Sequence, residues 1–132
     1  MSSVENRRTL AEDLLARATD DWVTAAEVID LVRGSGLTDP DDLRDLAVGL
    51  VARLITTGLV VAGECDGAGH RPWECSAEAA IGRIVEEWVG RRDPFVMPGE
   101  IVWLDATGEG QLIGEGVLAR EAEWNERSGG AT

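Results

Sequence analysis

The stretch Gly63–Cys75, GECDGAGHRPWEC, holds both cysteines and the single histidine of the chain, and its reading decides the fold. Three readings compete. Cys65, His70 and Cys75 are soft ligands of the kinds that zinc takes, but the C-x4-H-x4-C spacing is not a strong zinc signature. The chain has no further Cys or His, so Asp66 or Glu74 would have to complete the shell. A disulfide between Cys65 and Cys75 fits across a hairpin, but a reducing compartment opposes it. The third reading is a hairpin turning at DGAG. Leu59, Val61 and Cys65 then share one phase of the strand LVVAGEC, and Trp73 and Cys75 one phase of RPWEC. With a period of two, these side chains face one core, each cysteine acting as a small hydrophobe, while Glu64 and Glu74 take the solvated phase. This phase pattern favours the hairpin. No metal and no cofactor are then expected, and Asp66, His70 and Arg71 ride at the tip.

Helix signals precede the hairpin. Leu10, Leu14, Leu15 and Ala18 fall on one stripe of a short helix over 9–18. Thr24 and Glu27 have capping-box spacing, and Ala25, Val28, Ile29 and Val32 form the buried face of a helix over 24–33 that Gly34 stops. Asp39 is a good N-cap, and Pro40 suits the first helical position, where its missing N–H costs nothing. Leu43, Leu46, Ala47, Leu50, Val51 and Leu54 carry that helix over 41–57, up to Gly58.

After the hairpin, Ser76 caps a helix over 76–90 with Ile81, Ile84, Val85 and Trp88 as its stripe. RRDPFVMPGE is a connection, and EIVWLDA is a strand. Residues 107–120 admit two foldings. Thr107 can cap a helix that four glycines weaken by up to ~1 kcal/mol each, or TGEG can fold IVWLD back on QLIGEGV as a hairpin. The helix is the expectation. Trp22, Trp73, Trp88 and Trp103 adjoin apolar stripes and read as core.

The order of three short helices, a strand, a glycine-containing turn and a second strand resembles the winged-helix superfamily. WLDATGEGQLI is similar to the LT-x-x-G run with which many winged-helix regulators leave a wing strand and enter a helix, with Thr107 and Gly110 in the matching places. The expected class is therefore α+β, mainly α: three helices and a hairpin wing, then a further helix and a strand–helix extension. The expected layout is a disordered N-terminus over 1–8, one domain over 9–120 and a tail over 121–132. The family mostly binds DNA through its third helix, so the resemblance implies a transcriptional regulator.

The charge argues the other way. Against 25 acidic residues stand 12 basic ones, every one Arg, giving −13. Nucleic acid and anionic membranes both need neutralising cations. The helix over 41–57 offers Asp39, Asp41, Asp42 and Asp45 against Arg44 and Arg53, so DNA binding is disfavoured unless a homodimer concentrates the arginines. No apolar run approaches the ~18 residues of a membrane span, and no leader precedes the domain, so a cytoplasmic, membrane-free protein is expected.

Enzymatic chemistry lacks a signal, since the single His has no nucleophile beside it and Ser76 serves as a cap. The expected function is that of a non-enzymatic interaction domain. It would offer Asp39, Asp41, Asp42 and Asp45 to a basic protein partner, as immunity proteins and antitoxins do, with Trp124 in EAEWNER as an anchor. The alternative is the DNA-binding regulator. Phe95, Val96 and Met97, between two prolines, form a second exposed apolar candidate.

Overall fold

Capping chemistry places the helices. Thr9 Oγ1 accepts from the Glu12 N–H at 3.1 Å while Glu12 Oε1 accepts from the Thr9 N–H at 2.8 Å, a closed capping box that starts α1 (Leu10–Asp20). Thr24 begins α2 (Ala25–Arg33) by accepting from the Glu27 N–H at 3.2 Å. The Glu27 carboxylate lies instead against Arg17 at 3.5 Å, so the box expected there is only half made. Asp39 Oδ1 accepts from Asp41 and Asp42 N–H groups at 2.8 and 3.2 Å, and Pro40 opens α3 (Pro40–Thr56). The helix closes in a Schellman motif. Gly58, with φ +75°, donates to Ile55 O and Leu59 donates to Leu54 O.

The computed structural model describes residues 7–129. After α3 come β2 (Val60–Asp66), β3 (Gly69–Pro72), α4 (Ala77–Val89), β4 (Trp103–Ala106) and α5 (Gly108–Gly129); β1 is the short Val23–Thr24. The fold is α+β and mainly helical, with one four-stranded antiparallel sheet in the order β1-β4-β2-β3. Among the described residues, no helix is long and apolar enough to cross a membrane.

Cross-strand register sets the two faces of the sheet. Val23 lies opposite Leu104, and Leu104 opposite Ala62. These three and Val60 are buried against the helices. The core phase of β2 is thus Val60 and Ala62, not Leu59, Val61 and Cys65. Apolar residues occupy both phases at 60–62, so alternation alone did not separate them. The hairpin also closes earlier than expected. Asp66 pairs with Gly69 and Cys65 with His70, and the Asp66 carboxylate accepts from the Ala68 N–H at 2.8 Å to tighten the turn. β3 ends at Pro72, so Trp73 to Cys75 leave the ladder after Trp73 N–H donates to Ala62 O.

The glycine-rich segment is helical, and the glycines explain its packing. Thr107 Oγ1 accepts from the Gly110 N–H at 3.1 Å and donates to Gly58 O at 2.7 Å, tying the start of α5 to the end of α3. A Cβ on Gly110 would stand 2.0 Å from Leu59 O, and one on Gly114 would stand 2.4 Å from Leu15 O. Gly110 thereby lets the first turn of α5 lie against Leu59, and Gly114 lets the helix lie directly on α1, with Val117 buried on the same face.

The helix also corrects the expected ends of the domain. It runs on through 121–129, where a tail was expected. Arg8, placed in the disordered N-terminus by sequence, grips Glu121 through Nε and Nη2 at 2.6 and 2.7 Å. Arg120 reaches Glu12 at 2.9 Å. Residues 1–6 and 130–132, the outer parts of the two expected ends, lie outside the described residues.

Finally, Trp88 is fully buried on α4, and its indole N–H donates to Pro94 O at 3.1 Å. A buried tryptophan contributes a large apolar area and needs a partner for its N–H. Here that partner is the backbone of the connection between α4 and β4, which is thereby fastened to the core.

Candidate protein-interaction site

The first two turns of α3 bring the expected acidic residues together. Asp39 is committed as the cap. Asp41 and Asp45 are open to solvent, with side chains 75% and 67% exposed, and Asp42 is exposed beside them. Arg44 lies between, 3.4 Å from Asp41 and 3.2 Å from Asp45, with only 17% of its side chain exposed. The cluster is real but partly neutralised from within.

The hairpin residues are occupied with one another. Arg71 pairs with Asp66 at 3.0 Å. His70 stands one rung from the turn, opposite Cys65. It folds over the outer face of the sheet, and its Nε2 lies 3.0 Å from the Trp103 carbonyl oxygen. A carbonyl only accepts, so Nε2 carries the proton. Cys65 and Cys75 are both free thiols; Cys65 is half-buried and Cys75 exposed. Burial pushes the Cys65 thiol above its ordinary value, helped by the negative charges of Asp21, Asp66 and Asp105. Among the described residues, no group of three His, Cys, Asp or Glu side chains is arranged to hold a metal ion. Trp124 is half-buried on α5, in phase with Val117 and Glu121 on the face that meets α1.

The most featured concavity involves residues that sequence reasoning placed elsewhere. A groove of about 500 Å³ runs between α2 and the connection that precedes β4. Trp22, Phe95 and Trp103 line it together with the carboxylates of Asp21, Glu27 and Asp30. Trp22, expected in the core, is 36% exposed. The triplet between the prolines divides: Phe95 is half-buried in the groove wall, Val96 is buried and Met97 is 68% exposed. The Arg33 guanidinium sits over the Phe95 ring, 4.3 Å from its centroid, with Asp30 at 3.8 Å. Aromatic faces beside carboxylates attract cations, since the ring quadrupole and the negative charge act in the same sense. The sequence signals were DDW ahead of β1 and PFVMP between two prolines, but only the docking of the connection brings them together.

A second groove, of about 600 Å³ between α1 and α3, is lined chiefly by Leu10, Leu46, Leu50 and Leu59, with Asp45 and Arg53 also on its wall. No aromatic ring lines it, and Asp45 is its single carboxylate. The chain matches no protein-family model, no curated protein and no solved structure.

Proposed function

We propose that the protein is a non-enzymatic acidic interaction domain that receives a basic protein partner, acting as a neutraliser or adaptor. One observation carries this reading: Arg8, Arg17, Arg33, Arg44, Arg71, Arg83, Arg91 and Arg120 are all bound to carboxylates of the same chain. Most of the 12 arginines are therefore spent internally, while the net charge of −13 remains unrelieved. Such a field draws cationic surfaces and speeds their association.

The scaffold we propose is winged-helix-like. In support, Thr107 leaves β4 and caps α5, as the LT-x-x-G resemblance implies, and β4 lies between β1 and β2. On that reading, β2 and β4 are the wing strands in place of the β2–β3 hairpin expected from the sequence, and β3 with α4 is an insertion between them. The third helix then carries Asp39, Asp41, Asp42 and Asp45 where a DNA-binding relative presents cations, and its Arg44 is folded onto Asp41 and Asp45. Binding to phosphates by this face would be unfavourable.

The test reverses the charge of that face. Wild-type protein should bind an arginine-rich peptide at low salt, and the triple variant Asp41→Lys, Asp42→Lys, Asp45→Lys should bind it more weakly while gaining affinity for duplex DNA. A wild-type protein that ignores the peptide and binds DNA would overturn the proposal.

A further inference from the structure

We propose that the groove between α2 and the Pro94–Pro98 connection is the seat for an arginine side chain of the partner, carried on an extended basic segment. This rests on the reading of the protein as an acidic interaction domain and adds where, and by what chemistry, the cation is held.

The groove already shows the chemistry with a residue of its own. Arg33 is held between the Phe95 ring at 4.3 Å and the Asp30 carboxylate at 3.8 Å. The same pair of partners, an aromatic face and a carboxylate, is offered a second time along the groove by Trp22 and Asp21. No arginine among the described residues forms an ion pair with Asp21. Trp22 is left 36% exposed.

This second pair is also pre-positioned. Asp21 Oδ1 accepts the Trp22 N–H at 2.8 Å, which fixes the carboxylate beside its neighbour. Trp22 opens onto β1 and lies 6.4 Å from the His70 ring, which is itself bonded to Trp103. Groups that need no rearrangement lose less on binding. The groove is open to solvent, which suits a side chain reaching in from a passing segment better than an enclosed small molecule. Of the cations a protein can offer, the planar guanidinium can stack on an aromatic ring and pair with a carboxylate at once, as Arg33 does with Phe95 and Asp30.

The experiment uses a labelled arginine-rich peptide and the same peptide with citrulline, which keeps the shape and loses the charge. The arginine peptide should bind and quench tryptophan fluorescence, and the citrulline peptide should not. Trp22→Ala and Asp21→Asn should each weaken binding by about three- to thirtyfold, with Trp22→Phe retaining most of it. Arg33→Ala should strengthen binding beyond Arg127→Ala, which makes the same charge change outside the groove. Thermal melts confirm that each variant is folded.

Equal losses from Asp21→Asn and Asp42→Asn would mean attraction by net charge alone and would overturn the groove as the seat. Peptide binding that survives Trp22→Ala and Asp21→Asn but is lost in the Asp41, Asp42 and Asp45 reversal would do the same while leaving the interaction domain standing. A wild-type protein that fails to bind the peptide in low salt would overturn both.

Discussion

His70 and Trp103 are joined across a strand to which neither belongs. His70 lies on β3 and Trp103 on β4, yet Nε2 of the first donates to the carbonyl of the second at 3.0 Å, over the top of β2. The crossing exists because Gly63 stands beneath it. A Cβ there would lie 2.7 Å from His70 Cε1 and 2.3 Å from Arg71 O. Gly63→Ala should therefore cost about 1–3 kcal/mol, the usual range for overpacking a fitted site, measured by urea denaturation. His70→Ala should cost roughly 1 kcal/mol alone and nearly nothing in the Gly63→Ala background. Additive losses in the double variant would show that the crossing contact is not what Gly63 protects.

The contact of α5 on α1 gives a second expectation. Gly114 faces Leu15 O and the Thr19 methyl group, each within 2.5 Å of the place a Cβ would occupy. Gly114→Ala gains about 1 kcal/mol of helix propensity in isolation, but here the clash should dominate and lower stability by a net 1–2 kcal/mol or so. Gly116→Ala meets no atom within 4 Å and should be neutral or stabilising. Equal effects at the two sites, read by thermal melting, would contradict the packing.

Acid should open the same seam. The Arg8 guanidinium holds the Glu121 carboxyl below its ordinary 4.5, and Arg120 with the Thr9 N–H does the same for Glu12. Because both folded values are depressed, their stabilisation is complete above about 4.5 and is lost as the pH falls through the lower, folded values. Partly exposed ion pairs contribute about 0.2–1 kcal/mol each. Glu121→Gln should therefore flatten the acid limb of a stability–pH curve and lower stability at pH 7. A curve unchanged between pH 5 and pH 3 would show that these carboxylates are not held in solution as they are here.

The cysteines should behave as two unlike thiols. Cys75 is exposed, whereas Cys65 is half-buried and its thiol is raised by burial. An alkylating reagent at neutral pH should label Cys75 first and Cys65 slowly. Denatured protein prepared without reductant should titrate two thiols per chain. A single fast phase, or no free thiol, would contradict the placement of both residues.

Much of the fold was legible because local chemistry announces it. Thr24, Asp39 and Ser76 each cap a helix where the spacing predicts one, and Gly58 ends α3 as expected. What was hidden depends on long-range contact. Propensity counts Gly110 and Gly114 against a helix, because it cannot see the carbonyls of Leu59 and Leu15 that exclude a side chain. The core phase of β2 was ambiguous because Val60, Val61 and Ala62 are all apolar, and it is settled only by pairing with Leu104 and Ala106.

The candidate site divides in the same way. The acidic start of α3 was visible in the residue order. The groove was not, since Trp22 and Phe95 line one concavity only through the long-range docking of the connection that Trp88 holds at Pro94.

On the proposed function, the acidic surface meets a cationic protein and not nucleic acid. The decisive measurement is fluorescence anisotropy of labelled duplex DNA, titrated at low salt with the wild-type protein to well above micromolar concentration. The expected result is no change in anisotropy, while the arginine-rich peptide under the same conditions binds and is released by added salt. A salt-sensitive DNA complex at micromolar protein would contradict this proposal and favour the alternative, a DNA-binding regulator.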